Sequence, residues 1–234
     1  MFETGLKLVE NTVVRCKFDH DLNLAHARWL RGAIGQLIDR PEFHHHSEAG
    51  LVYHHPLIRY AVHRREAIIA GLAEGAFLLR SMPVLESLRL GTGEYRVLEQ
   101  TVEFCRTGIG ACSEPIIYSF QTPYLALNQE NYDKWQRSDP FTGRRLLQRV
   151  VIGNLLSLAK AIRLDVSERL HADVDLWPDR LEEVKPGVRL LGFRGVIQVN
   201  FTLPDRWGIG KSSARGFGTL IRQEAGHGKG QSKG

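Results

Sequence analysis

The sequence predicts an α+β protein built from two small domains with antiparallel sheets. Three observations carry that prediction. Helix-like and strand-like segments come in two successive units and do not fall into the strand-helix alternation of a doubly wound sheet. Near the middle of the chain, Thr107 to Ser113, with Gly108 and Gly110, places small residues between two strand-like runs. The 234 residues, 43% hydrophobic and 24% charged, suffice for one substantial core or for two of about 100 residues each.

Val13 to Phe18 reads as the first strand, and Asn23 to Leu37 as a helix with Leu24, Ala27, Leu30, Ile34 and Leu37 at helical spacing. Arg28, Arg31 and Gln36 fall away from most of that stripe. Pro56 to Val62 and Ala67 to Ala70 form the arms of a hairpin around His63 to Glu66, and a short helix follows near Glu74 to Met82. Tyr95 to Cys105 is a long strand. Beyond the boundary come a strand at Ile116 to Phe120 and a helix at Leu146 to Ile162, then strands at Val166 to Trp177 and Val188 to Phe201. Gly192 and Gly195 within the last mark a close backbone approach or a bulge. A final short strand spans Thr219 to Arg222. The domains are therefore expected at 1–112 and 113–222, with 223–234 a disordered tail of glycine, lysine and polar residues.

No apolar run reaches the roughly 18 residues of a membrane span, and the N-terminus lacks the segments of a signal peptide, so the expected compartment is the cytoplasm. Cys16, Cys105 and Cys112 form neither a disulfide framework nor a CxxC pair and are expected to be buried apolar residues. A net charge of +5 and a pI near 9.2 favour polyanions only mildly.

The segment Gly208-Ile-Gly-Lys-Ser-Ser-Ala-Arg-Gly-Phe-Gly218 concentrates four glycines, two cations and two hydroxyls in eleven residues. Backbone without Cβ can approach phosphate closely, while Lys211 and Arg215 supply charge. A P-loop would place its first glycine at Asp205, and a dinucleotide fingerprint would need glycine at Ser213, so neither applies. A purely structural turn remains the alternative. Phe217, Tyr124 and Trp207 could stack on bases, although such residues more often pack in a core.

This ending, with Leu191-Gly-Phe-Arg-Gly-Val-Ile-Gln-Val-Asn-Phe201 before it, resembles the C-terminal signature of the CRISPR-associated RAMP endoribonucleases that process precursor CRISPR RNA, particularly their b-type subgroup. Leu30-Arg-Gly-Ala-Ile-Gly35, His55-Pro-Leu-Ile-Arg-Tyr60, Gly71-Leu-Ala-Glu-Gly75, Thr122-Pro-Tyr-Leu-Ala-Leu-Asn128 and Ile152-Gly-Asn-Leu-Leu156 are similar to that subgroup's blocks in the same order. The resemblance implies two tandem ferredoxin-like (RRM-like) domains and CRISPR repeat RNA, within precursor CRISPR RNA, as the partner. A homodimer and a place in a CRISPR effector complex are further partner expectations. Gly208, Gly210, Lys211, Ser212, Arg215, Gly216, Phe217 and Gly218, with Arg28 and Arg31, are the candidate RNA-binding residues.

Six of the ten histidines lie between His44 and His63. Pro41, Ser47 and Gly50 disfavour a continuous helix there, and an extended chain would put His44 and His46 on one side. Two imidazoles with pKa values of roughly 6.5 can serve as base and acid at neutral pH. RNA's 2′-hydroxyl can then attack the adjacent phosphorus, giving a 2′,3′-cyclic phosphate and a 5′-hydroxyl with no cofactor or metal. The resemblance adds Tyr53 to His44 and His46 as catalytic candidates. His44 as base, His46 as acid and Tyr53 as orienter is one arrangement, and the histidine roles can be exchanged. Gln36 stands where related enzymes carry a lysine, which leaves Arg31 or Arg28 to supply the charge. Two other readings stay open: a zinc, nickel or copper site, which lacks an HExxH helix or CxxC partner, and a non-catalytic RNA-binding RAMP subunit. His63 and His171 are expected at solvated strand ends.

Overall fold

The first strand, β1 (Leu6–Phe18), is longer than its apolar pattern alone implies because it is paired along both edges. The structure is a computed structural model that describes residues 5–38, 55–185 and 187–223. His44, His46, Tyr53 and the tail beyond residue 223 lie outside the described residues. After β1 come α1 (Leu24–Ile38), the hairpin β2 (Ile58–His63) and β3 (Glu66–Leu72), α2 (Glu74–Arg80), a four-residue strand β4 (Ser87–Leu90) and the 28-residue β5 (Gly93–Phe120). The second half adds α3 (Gln129–Gln136), α4 (Pro140–Ala161), β6 (Ala172–Lys185), β7 (Val188–Thr202) and β8 (Leu220–Arg222).

The sheet runs β2-β3-β1-β5-β7-β6, and every pairing is antiparallel. Its first four strands, with α1 and α2 as crossovers, have the ferredoxin-like βαββαβ connectivity. The pattern recurs in the second half. Tyr118 of β5 pairs with Ile197 of β7 on one edge and with Arg222 of β8 on the other, giving the order β6-β7-β5-β8. Between β7 and β8, where the repeat would place a second helix, the chain instead makes the glycine-rich loop and a three-residue 3-10 turn, Ser213–Arg215.

The two halves share β5. Residues 97–110 pair with β1, and from Gly110 onward the strand pairs with β7, with a register shift between Ala111 and Ile116. The small residues around Gly108 and Gly110 thus do not interrupt a strand, as their composition implied; they let one strand pass between partners. Gly110 has φ 150, and a Cβ there would collide with the Gly5 carbonyl.

Helix α4 starts at Pro140, six residues before its apolar stripe begins. Asp139 caps it, accepting from the backbone N–H groups of Phe141 (2.9 Å) and Thr142 (3.1 Å). Leu146, Leu147, Val151, Leu155, Leu158 and Ala159 form its buried face. They join Phe193, Ile197 and Phe201 of the second half and Val9, Leu72 and Ile109 of the first in one core cluster. At the far end of α4, the Lys7 ammonium donates to the carbonyls of Ile162 (2.8 Å) and Arg163 (3.0 Å), placing a first-half cation on a second-half helix C-terminus. A separate cluster, with Val14, Cys16, Leu30, Ile34 and Leu79, fills the first half.

Further departures from the sequence reading have local causes. Strand β6 runs through Pro178 to Lys185 because a register shift between Pro178 and Leu181 absorbs the proline. Of the cysteines only Cys16 is buried; Cys105 is exposed and Cys112 intermediate. Cys105 belongs to the stretch of β5 that helices leave uncovered. His63 and His171 are exposed at strand ends, as expected.

Leu155 is fully buried and its neighbour Leu156 is 44% exposed. Leu155→Ala is expected to lower unfolding free energy by about 2–5 kcal/mol and Leu156→Ala by less than about 1 kcal/mol. Urea denaturation followed by circular dichroism measures both, and equal losses would contradict this packing of α4.

Candidate functional site

The glycine-rich loop is held from four sides. The Lys211 N–H donates to the Leu125 carbonyl (3.0 Å) and the Gly218 N–H to the Pro123 carbonyl (2.9 Å). Thr122 Oγ1 donates to the Gly216 carbonyl (2.7 Å) and accepts from the Thr219 N–H (2.9 Å). Gly210 has φ 87, and a Cβ on it would sit 2.5 Å from the Tyr124 ring. That ring is stacked on Phe120 (4.4 Å between centroids), and its hydroxyl accepts a 2.6 Å bond from the Asn154 amide on α4. Gly216, also at φ 87, brings the loop against the first half: a Cβ there would lie 3.2 Å from the Tyr60 carbonyl and 3.3 Å from Ala27 on α1.

These contacts leave most of the loop inside the protein. Gly208, Ser213, Gly216, Phe217 and Gly218 are buried, Gly210, Ser212 and Arg215 are intermediate, and Lys211 is exposed. Phe217 packs in a small cluster with Leu125 and Val184, so its ring, like those of Tyr124 and Trp207, belongs to the core in this structure.

The cations do converge. Burial lowers the pKa of Arg215 below the ordinary guanidinium range, and the nearby positive charges of Arg31 and Arg28 lower it further. Arg31 is itself half-buried, its pKa also lowered by burial, with the Tyr60 hydroxyl opposing that shift. Arg215 keeps its orientation by donating to the Val184 carbonyl on β6 (2.8 Å). Three guanidinium groups, two from the first turns of α1 and one from the loop, therefore face the same region across the junction of the halves. None of the three has a carboxylate partner among the described residues.

Beneath the loop lies a buried polar junction that the sequence pattern did not single out. His55 Nε2 accepts from the Trp207 indole N–H (3.0 Å), and Arg59 Nη2 donates to Thr219 Oγ1 (2.7 Å). Burial, followed by the positive charge of Arg59, pushes the His55 pKa down to about 4. Burial brings Arg59 down to about 9. Nothing near His55 in the sequence marks it for this role. Its neighbour Pro56 and the apolar run that follows carry no signal of a partner 152 positions away.

The ordered blocks of the sequence acquire a common physical role here. Thr122 to Leu125 and Asn154 shape the loop, Arg59 and Tyr60 support it from below, and Gly71 and Gly75 let β3 and the start of α2 approach so closely that a Cβ on either would strike backbone.

Comparison with known proteins agrees with that arrangement. Residues 9–107 match the model of the Cas6b N-terminal domain and residues 110–223 that of the Cas6b C-terminal domain. The chain belongs to the Cas6b family. A Cas6b crystal structure, 28% identical, superposes with a TM-score of 0.85 over 93% of this chain and 100% of its own. A second, described as the CRISPR RNA processing endoribonuclease Cas6b, is 25% identical with a TM-score of 0.72 over 92% of this chain and 100% of its own. An uncharacterized protein of Methanocaldococcus jannaschii is 33% identical over 140 residues, 60% of this chain and 95% of that protein. A Cas6 product complex at 14% identity and a TM-score of 0.57 shares the fold.

Within this Cas6b chain, α1 ends the described region at Ile38 and the chain re-enters it at His55, so the segment bearing His44, His46 and Tyr53 is joined at both ends to elements of the junction. Among the described residues no group of three or more His, Cys, Asp or Glu is arranged to hold a metal ion, and no helix is long and apolar enough to cross a membrane.

His55 gives the junction a pH dependence. Its folded pKa, about 4, lies below the unfolded value of roughly 6.5, so the unfolded chain takes up the proton first as pH falls. Stability is unaffected by this group well above pH 6.5 and declines from there down to about 4; by pH 5 the loss is about 2 kcal/mol. Denaturant titrations at pH 7.5 and 5 should show that loss in the wild type and a smaller one in His55→Gln. Identical pH dependence in the two proteins would mean that the imidazole is not buried in its neutral form.

Proposed function

We propose that this Cas6b chain is a metal-independent endoribonuclease that cuts CRISPR repeat RNA within precursor transcripts. The observation that carries the reading is the meeting of Arg28, Arg31 and Arg215 across the two halves. Three guanidinium groups with no carboxylate partner among the described residues suit the regularly spaced phosphates of a nucleic acid strand, and each adds a salt-dependent contact. The solved Cas6b relative described as a CRISPR RNA processing endoribonuclease supports the choice of substrate.

In this mechanism one of His44 and His46 removes the proton from the 2′-hydroxyl upstream of the scissile bond. The 2′-oxygen forms its bond to phosphorus, the bond to the 5′-oxygen breaks, and the other histidine protonates the departing oxygen. Tyr53 orients a histidine or donates to the phosphate, and Arg31 or Arg28 offsets the charge that grows on the phosphoryl oxygens. The products are a 2′,3′-cyclic phosphate and a 5′-hydroxyl. Residues 1–112 hold the reacting groups and 113–222 hold and shape the RNA.

Single-turnover cleavage of repeat RNA should proceed equally with and without EDTA and stop when the upstream ribose is replaced by deoxyribose. His44→Ala or His46→Ala should slow cutting by at least about 100-fold while leaving most of the binding. Cleavage of the deoxy-substituted RNA would sink the mechanism, and binding without any cleavage would make the chain a non-catalytic RNA-binding subunit.

Arg28→Ala with Lys211→Ala leaves the Arg215 bond to Val184 in place. This double variant should weaken RNA binding and make the slope of log affinity against log salt shallower by about 1–2, with the cut position unchanged. An unaltered affinity would remove this surface from the RNA path.

A further inference from the structure

Arg59 sits on β2 where the first half meets the glycine-rich loop, and it is 2% exposed. Of its guanidinium nitrogens, Nη2 donates to Thr219 Oγ1 (2.7 Å), whereas Nε and Nη1 are buried with no hydrogen-bond partner among the described residues. Among the described residues no carboxylate pairs with it. Its carbon lies 6.0 Å from the centroid of the Trp207 ring and 3.3 Å from where a Gly208 side chain would begin, so the missing side chain at Gly208 is what makes room for it. Ser213 Oγ, in the same loop, is another buried polar atom with no partner among the described residues. A guanidinium taken out of water with two of its three nitrogens unpaired is costly to hold, and an ordinary packing role would be met by an aliphatic side chain of similar length.

We propose that Arg59 is an oxyanion receptor, which a phosphodiester of the bound RNA completes by accepting from the second N–H of Nη2 and from whichever of Nε and Nη1 lies on that side. A planar guanidinium offers two such edges, Nε with Nη2 and Nη1 with Nη2, each a fork that matches two phosphate oxygens. Because Nε and Nη1 are covered in the free chain, the oxyanion enters as the backbone around Gly208 gives way, and RNA binding tightens the contact between the two halves. The proposal rests on the reading of this junction as the RNA site but adds a residue that neither the surface cations nor the histidines include.

Inorganic phosphate tests it without RNA. In the full chain, phosphate at constant ionic strength, against chloride, should raise the melting temperature and shift the Arg59 Nε signal in nitrogen-15 NMR spectra. In Arg59→Met, which keeps the aliphatic bulk, the thermal response to phosphate should vanish and affinity for repeat RNA should fall about tenfold or more. Should Arg59→Met fail to fold, the Nε signal of the wild type still decides: a shift with phosphate and none with chloride supports the receptor, and no difference overturns it. A thermal response equal in wild type and variant, or a phosphate response with unchanged RNA affinity, which marks an adventitious ion only, also overturns it. If the phosphate arm succeeds while the chain never cuts repeat RNA, the endoribonuclease reading fails and the receptor stands; cleavage without either Arg59 effect rejects the receptor alone.

Discussion

Strand β5 belongs to both halves, and that shared membership fixes where everything else sits. Its first part completes the β2-β3-β1 ladder and its last part lies between β7 and β8 in the β6-β7-β5-β8 ladder, so the two ferredoxin-like units cannot rotate independently without breaking backbone hydrogen bonds. The core cluster continues across the same line, with Val9 and Ile109 packed among residues of α4 and β7. Once β5 is set, α1 and the glycine-rich loop have one relative position, and the three arginines they carry meet there.

The loop works within that frame as a spacer more than as a coat of phosphate-binding N–H groups. A second helix between β7 and β8 would bring side chains into the space that Tyr60, Ala27 and Arg59 occupy. A chain with glycine at 208, 210, 216 and 218 can lie directly on them. Its backbone groups are largely spent on Pro123, Leu125 and its own turn, so charge reaches the surface through side chains, chiefly Lys211 and Arg215. The family marker and the outward-facing cations are therefore neighbours with separate duties.

Much of this was legible from residue order. Helical spacing located α1 and the buried face of α4, and alternation located β2, β3 and β7, because each of those elements buries one consistent face. The pattern faltered where a different force decides. Asp139-Pro140 announced the start of α4 through capping chemistry, which an apolar count does not see. Thr107 to Ser113 reads in the sequence as a boundary between two strand-like runs, because the extension of β5 through it is enforced by partners on two other strands. Arg28, Arg31 and Arg215 could be nominated singly, but their meeting depends on contacts between residues nearly two hundred positions apart. The Trp207–His55 and Arg59–Thr219 pairs were invisible for the same reason, since no local periodicity encodes a long-range polar partner.

That difference in legibility follows from what each group must satisfy. A core leucine needs only an apolar environment of about the right volume, which many sequences supply, so its position shows as a repeating pattern. A buried imidazole or guanidinium needs a particular donor or acceptor at about 3 Å, and losing either partner strands the other away from water. The junction under the loop is built of such demands, from Asn154 and Tyr124 on one side to His55 and Arg59 on the other. It ties the shape of the cationic surface to the registration of the two halves: a displacement that separates Trp207 from His55 also disturbs the strand pairing of Gly208 with Thr219 and the Thr219 hydroxyl that Arg59 holds. Substitutions among the exposed cations leave that network intact, so the charge of the surface can change while the frame that presents it stays fixed.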